Sequence, residues 1–151
     1  MKQEWCRACY YSPVESDTSK QILIVDDEPT ARHLLRHVVQ LGGYRLLVAR
    51  DAVEAITFLE AGERPDLVIS DVMMPGLLGT DLVQYFAGSQ HLRCVPVVLL
   101  SAYHDVSQAG KTAAFVHKPY SPQALLGLIA DLLTEDDPPP NNTREPRVLT
   151  L

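Results

Sequence analysis

The sequence predicts an α/β domain in which a five-stranded parallel sheet is covered by helices on both faces. Five short runs rich in Val, Ile and Leu are apolar at nearly every position, as is typical of strands buried on both faces. Longer amphipathic segments lie between these runs, and this alternation indicates parallel strands joined by helical crossovers. The length of 151 residues and the 46% content of hydrophobic residues are enough for one folded domain with short tails.

The predicted strands and helices follow one another in order along the chain. Apolar runs predict strands at residues 22–25, 45–49, 67–70, 95–100 and 114–117. Apolar residues recur at helical spacing and predict a helix in each of four segments, at residues 34–41, 52–59, 82–86 and 125–133. Pro29 suits the first turn of the first helix, and Gly42 with Gly43 marks its end.

Three parts of the chain differ in composition. Residues 1–19 lack clear periodicity and are interpreted as an N-terminal extension, whereas residues 20–136 contain all the alternating segments and form the predicted domain. Residues 137–151 are polar and proline-rich, and we expect a disordered tail there. Cys6 and Cys9 have a spacing found in zinc sites, but a structural zinc site needs four ligands and the sequence has no second pair.

Charge and hydropathy argue against several classes of protein. The net charge of −6 and the lack of a Lys or Arg cluster argue against nucleic acid as a partner. The longest uncharged apolar stretch, residues 95–100, is too short to cross a bilayer, so no membrane association is expected. With three cysteines and no apolar signal segment at the N-terminus, we expect a cytoplasmic protein with free thiols.

Polar residues follow four of the predicted strands, at the point where each strand ends. Asp26 and Asp27 follow the first strand, Asp71 the third, Ser101 the fourth and Lys118 the fifth. The carboxyl ends of parallel strands share one edge of the sheet, where binding crevices form. Each residue alone has an ordinary interpretation as a helix start, a turn, a cap or a surface charge. Their coincidence at one edge favours a functional site.

Carboxylates gathered in this way suit magnesium and phosphoryl chemistry. Mg²⁺ prefers oxygen ligands and would cancel the repulsion among Asp26, Asp27 and Asp71. A carboxylate can attack phosphorus and form an aspartyl phosphate. Phosphoryl transfer then needs positioning and positive charge near the phosphoryl oxygens, which a metal, the Lys118 ammonium and the Ser101 hydroxyl would supply.

Four motifs resemble the receiver domain of two-component response regulators, which has the CheY-like fold. These motifs are ILIVDDE, LVISDVMMPGLLG, VVLLSA and FVHKPY, in this order and spread over residues 20–134. The resemblance implies a flavodoxin-like sheet with strand order 2-1-3-4-5. It also implies a phosphorylation-operated switch that takes its phosphoryl group from a sensor histidine kinase or a phosphotransfer protein.

The resemblance implies roles for individual residues. It implies that Asp71 receives the phosphoryl group, and that Asp26, Asp27 and Asp71 hold Mg²⁺ with the backbone carbonyl of Met73 as a further ligand. Lys118 would pair with the phosphoryl oxygens.

The same resemblance implies a switch next to this site. Ser101 would hydrogen-bond to the phosphoryl group, and Phe115 matches the aromatic residue whose rotamer follows Ser101 inward. Because Phe115 has no hydroxyl, such a switch would work through packing alone. The sequence around Lys118 and Pro119 suggests a cis peptide bond before the proline.

The chain departs from the family pattern between the fourth and fifth predicted strands. Ser101 and Lys118 are only 17 positions apart (118 − 101), which is shorter than usual by about one helical turn or more. We therefore expect a shortened or irregular helix in this connection. Met73 and Tyr103 are expected to flank the site, where bulky side chains would either slow access of water to an aspartyl phosphate or simply cover its rim.

Several functions are compatible with these residues. The first is a stand-alone receiver that catalyses its own phosphorylation and dephosphorylation, is not otherwise an enzyme, and signals to a downstream protein by direct contact. The alternatives are a degenerate receiver that acts as an unphosphorylated scaffold, and a phosphoryl shuttle or receiver fragment of a larger regulator. A haloacid-dehalogenase-type phosphatase is disfavoured, because its second acid would stand two residues after Asp71, where this chain has Met73.

Overall fold

The computed structural model of the chain describes residues 20–102, 114–134 and 147–149. Six strands form one parallel sheet in the order β2-β1-β3-β4-β5-β6. The strands are β1 Gln21–Val25, β2 Arg45–Ala49, β3 Leu67–Asp71, β4 Val97–Ser101, β5 Ala114–His117 and β6 Arg147–Leu149. The helices of the described ranges are α1 Pro29–Leu41, α2 Ala52–Glu60, α3 Gly79–Gly88 and α4 Pro122–Thr134. The predicted order 2-1-3-4-5 of the first five strands is confirmed.

The sixth strand corrects the predicted extent of the disordered tail. Residues 137–151 were expected to be disordered, but Arg147–Leu149 pairs with β5. The prediction was wrong there because it considered only whether side chains could pack. Backbone N–H and C=O groups at an open sheet edge accept a short strand of almost any composition. The rest of the tail, the extension at residues 1–19 and the short connection at residues 103–113 lie outside the described residues.

Helix α1 begins and ends at the residues that the sequence indicated. Pro29 occupies its first turn, and the Glu28 carboxylate caps it by accepting the N–H of Thr30 at 2.9 Å. The helix stops at Gly42, and Gly43 follows with a φ of 79°. The apolar residues at helical spacing that predicted this helix are not all buried, because a helix of 13 residues presents only one face to the sheet. Leu34 is 56% exposed and Leu41 is 79% exposed.

Two apolar layers cover the two faces of the sheet. Successive residues of a strand point to opposite faces, so Leu23 and Val25 belong to one layer and Ile22 and Ile24 to the other. The first layer packs against α2 and α3, and the second against α1 and α4. We call them the α2–α3 layer and the α1–α4 layer. The central strands are buried on both sides, as their continuous apolar runs predicted.

The register of the strands brings their polar ends to one edge. Val25 pairs with Ser70, so the next residues, Asp26 and Asp71, lie level with each other on neighbouring strands. Ser101 ends β4 beside the last residue of β5, and Lys118 follows directly. No helix within the described ranges is long and apolar enough to cross a membrane.

Candidate functional site

Three carboxylates form a cluster at the carboxyl edge of the sheet. Asp26, Asp27 and Asp71 each offer one oxygen, and the three oxygens lie within 4.8 Å of one another. Asp26 is only 1% exposed, whereas Asp27 and Asp71 are half-buried. Two ligands of one Mg²⁺ at bond lengths of about 2.1 Å are at most about 4.2 Å apart. A small side-chain movement would therefore place all three oxygens on a single ion, so this all-oxygen donor set fits magnesium.

Lys118 is the cation that the structure places beside this cluster. Its Nζ lies 3.5 Å from Oδ1 of Asp71 and 4.0 Å from Oδ2 of Asp26. Its backbone N–H donates to the carbonyl oxygen of Ser101 at 2.7 Å, which fixes the start of the segment after β5. The peptide bond between Lys118 and Pro119 is cis, as the sequence suggested.

Burial of Asp26 makes its ionised form costly. Desolvation is the main cause that raises the pKa of the Asp26 carboxyl, and the negative charges of Asp71 and Asp27 raise it further. The backbone N–H of Glu28, which donates to Oδ1 of Asp26 at 2.9 Å, and the charge of Lys118 oppose this shift. A cation bound at the cluster would act in the same direction as Lys118 and favour the ionised form.

The loop that carries Asp26 is held from two sides. The backbone N–H of Asp26 donates to the carbonyl oxygen of Ala49 at the end of β2, at 3.2 Å. Its own carbonyl oxygen accepts from Nη1 of Arg32 on α1, at 2.8 Å. The third acid of the run, Glu28, points away to cap α1, and the N–H groups of Ala31 and Thr30 lower the pKa of its carboxyl. The interpretation as a helix start is therefore right for Glu28, whereas Asp26 and Asp27 belong to the cluster.

Gly79 supports the backbone of Asp71 and was missed from the sequence. A Cβ at Gly79 would overlap the carbonyl oxygen of Asp71 and lie 3.1 Å from Cα of Val72. The N–H of Gly79 donates to the carbonyl oxygen of Val72 at 3.0 Å, so α3 starts directly against the end of β3. Gly76, with a φ of 83°, supplies the turn between β3 and α3, so Gly79 serves the close approach to Asp71 and not the turn.

The predicted switch residues are both buried near the site. Ser101 is buried at the end of β4, and Phe115 lies in the α2–α3 layer, where it pairs with Leu99 in the sheet. The side chain of Met73 is exposed, while Tyr103 lies outside the described residues. The implied roles of Ser101, Phe115 and the Met73 carbonyl stay predictions.

Tyr120 is a further neighbour of the cluster that the sequence did not reveal. Burial raises the pKa of its hydroxyl, and the nearby charge of Asp26 raises it further. Its position two residues after Lys118, at the end of the FVHKPY motif, was the signal that could have found it.

Comparison with known proteins identifies the family. The family described as response regulator receiver domain matches residues 22–130. The chain belongs to this family. A probable transcriptional regulator, ycf27 of Cyanophora paradoxa, is 35% identical over 129 residues, which are 82% of this chain and 52% of that protein. The response regulator MprA of Mycobacterium tuberculosis is 34% identical over 125 residues, with 80% and 53% covered. The chain thus spans about half the length of these relatives.

Solved structures share the fold of this receiver domain. The chemotaxis response regulator CheY4 of Vibrio cholerae is 28% identical with a TM-score of 0.70, covering 77% of this chain and all of that one. A receiver domain of a histidine kinase from Syntrophus aciditrophicus is 32% identical with a TM-score of 0.73, covering 84% and 98%. TrrA of Thermotoga maritima, solved in complex with Mg²⁺ and BeF, is 31% identical with a TM-score of 0.69, covering 76% and 99%. The protein is a receiver domain of the two-component type with the CheY-like fold.

Proposed function

We propose that this receiver domain accepts a phosphoryl group on Asp71 from the phosphohistidine of a sensor histidine kinase or a phosphotransfer protein, in a Mg²⁺-dependent reaction in the cytoplasm. The phosphorylated protein then signals by contact with a downstream protein. The observation that carries this proposal is the position of Lys118, whose Nζ lies 3.5 Å from Asp71 at the edge of a three-carboxylate cluster.

Asp71 is the nucleophile in this reaction. One of its carboxylate oxygens forms a bond to phosphorus, the bond between phosphorus and the imidazole nitrogen of the donor breaks, and the imidazole leaves with the electron pair. Phosphoryl transfer depends mostly on positioning and charge. Gly79 and the strand pairing of β3 keep the Asp71 backbone in place, because α3 starts against it without an intervening side chain.

Lys118 and Ser101 act on the phosphoryl oxygens. The Lys118 ammonium, which faces Asp71 and Asp26 before the reaction, has the charge to pair with a phosphoryl oxygen afterwards. Ser101 is buried at the end of the neighbouring strand and carries a hydroxyl that can donate to the same group. Phe115, two strands from Asp71 and without a hydroxyl, would transmit a movement of Ser101 through packing.

Magnesium fits the carboxylate cluster. Asp26, Asp27 and Asp71 would hold it with the backbone carbonyl of Met73, and the bound ion would supply positive charge to the phosphoryl oxygens. The raised pKa of Asp26 supports this assignment, because a buried carboxylate among like charges is stabilised by a cation. The complex of TrrA with Mg²⁺ and BeF supports it as well.

The receiver catalyses only its own modification and its reversal by water. The relatives also support the alternative that this receiver is part of a larger regulator, since ycf27 and MprA are about twice as long as the matched part. A receiver that forms part of such a regulator would use the same site and differ only in its output.

Intact mass after incubation with Mg²⁺ and acetyl phosphate tests this function. We expect a gain of about 80 Da, one phosphoryl group, in the wild type and none in Asp71→Asn. Asp131→Asn on the exposed face of α4 is the matched control, because it makes the same chemical change away from the site and should gain the group normally. A gain of mass in Asp71→Asn would mean that another residue accepts the phosphoryl group. No gain in the wild type with either acetyl phosphate or phosphoramidate, together with no binding of Mg²⁺, would favour the scaffold function.

A further inference from the structure

Strand β6 lies beyond the part of the chain that the receiver family covers. The family match ends at residue 130, whereas β6 is Arg147–Leu149. It runs parallel to β5 in a defined register, with Ala114 opposite Arg147, Phe115 opposite Val148 and Val116 opposite Leu149. Since the fold is complete with five strands, β6 needs an explanation of its own.

The strand that β6 covers would otherwise be an apolar edge of the sheet. Ala114, Phe115 and Val116 are all buried, and an edge of this kind offers unpaired N–H and C=O groups beside apolar side chains. The opposite edge of the sheet, β2, begins with the exposed Arg45, and a charge of this kind discourages pairing. The two edges are therefore protected from unwanted pairing in different ways: β2 carries a charged residue, and β5 is covered by an added strand.

We propose that the edge of β5 is a docking surface for an extended segment that runs parallel to it. Residues 147–149 of the same chain, the resident strand, occupy this edge in the structure. The same segment of a second copy of this chain can replace them. The chemistry of recognition is backbone pairing, which is how sheet edges bind extended peptides. The proposal is independent of phosphorylation at Asp71.

The length of the connection between α4 and β6 sets the effective concentration of the strand at the edge of β5. Residues 135–146, twelve in number (146 − 135 + 1), join α4 to β6. A tether of about this length gives the segment at its end an effective concentration of about 1 mM. If the resident strand is docked about 90% of the time, a free segment of the same sequence binds the open edge with a Kd of about 0.1 mM. The same segment competes about tenfold less well while the resident strand is in place.

A pair of full-length variants tests the resident strand. Successive amides of a strand point to opposite sides, so Val148→Pro with Leu149→Pro removes one N–H that faces β5, whichever register side it occupies. Val148→Ala with Leu149→Ala keeps both N–H groups. We expect hydrogen exchange at residues 114–116 to be about tenfold faster in the proline pair and close to wild type in the alanine pair. Equal exchange in all three proteins, or equal acceleration in both variants, would overturn the proposal.

A synthetic peptide then tests the edge itself. The peptide EPRVLTL copies residues 145–151, and its control EPRPPTL carries the two prolines. We expect EPRVLTL to shift the amide resonances of residues 114–116 in the proline-pair protein in a saturable way below about 1 mM. The wild type should need about tenfold more peptide, and the control peptide should not bind. No binding by about 1 mM, or equal binding to both proteins, would show that the edge is not a strand-docking surface.

Discussion

The middle of the sheet and its carboxyl edge are built from the same strands but affect stability in opposite ways. In the middle, β1, β3 and β4 contribute side chains that are buried in both apolar layers. One residue further along, the same strands present Asp26, Asp71 and Ser101. Burial of apolar surface in the middle of the sheet stabilises the protein. The like charges that lie close together at the edge destabilise it.

This contrast explains where the site can be built. A cluster of carboxylates destabilises the protein that holds it, and only a rigid frame keeps such groups in place. Here the frame is the central part of the sheet, and Lys118 together with the backbone N–H of Glu28 offsets part of the repulsion at Asp26. The comparison predicts that changes in the middle weaken the fold, whereas removal of a charge at the edge strengthens it.

The largest expected effect is a truncation in the middle of the sheet. Leu99 is fully buried on β4, between β3 and β5. We expect Leu99→Ala to lower the free energy of unfolding by about 2–5 kcal/mol, because it removes buried methyl groups and leaves a cavity. Urea denaturation measures this change. Leu41→Ala, at a position that is exposed, should change stability by less than about 0.5 kcal/mol, and a similar loss in both variants would contradict the account of the layers.

A smaller effect on stability but a strong effect on function is expected where the middle and the edge meet. In Gly79→Ala the new methyl group would overlap the carbonyl oxygen of Asp71, so the end of β3 must move. We expect a loss of about 1–3 kcal/mol in stability and a rate of phosphorylation by acetyl phosphate at least about tenfold lower, since small displacements of reacting groups are costly.

Gly127→Ala on α4 provides the control for that substitution. A Cβ at Gly127 meets nothing within 4 Å, and alanine favours a helix over glycine by about 1 kcal/mol. This variant should be phosphorylated normally and be slightly more stable. Normal phosphorylation of Gly79→Ala would show that the close approach to Asp71 has no functional role.

The parts that were predicted from the sequence follow from topology. Parallel strands must bring their carboxyl ends to one edge, so Asp26, Asp71 and Lys118 could be placed together once the strands were recognised. The cis bond at Lys118–Pro119 was predicted from the proline and the motif around it.

The features that were missed depend on contacts without a periodic signal. Strand β6 is three residues long and pairs through its backbone, so it is too short for a hydrophobic period to be recognised in the sequence. The role of Gly79 is the absence of a side chain against a carbonyl group eight residues earlier (79 − 71), which only coordinates reveal. The exposure of Leu34 and Leu41 was missed because helical spacing alone does not define the width of a buried face.

The smallest expected effect is a gain in stability at the edge. Asp26→Asn keeps an oxygen that can accept the N–H of Glu28 but removes a buried negative charge beside Asp71 and Asp27. Without metal at pH 7, we expect the free energy of unfolding to rise by about 1–2 kcal/mol, measured by urea denaturation in EDTA. Mg²⁺ should stabilise the wild type but not this variant, because binding to the folded state alone raises stability. Asp131→Asn on the exposed face of α4 should be within about 0.5 kcal/mol of wild type.

The dependence of this gain on pH separates relief of charge from better packing. The folded protein raises the pKa of Asp26 above its ordinary value of 3.8, so the folded state binds more protons than the unfolded state between the two values. The stability of the wild type therefore falls as the pH rises through that interval, while the asparagine variant lacks this contribution. The advantage of Asp26→Asn should be full above the raised pKa of the folded state and should shrink as the pH falls toward 3.8. An advantage that stays constant over this range would mean that the amide packs better than the acid. The repulsion assigned to the carboxyl edge would then have to be withdrawn.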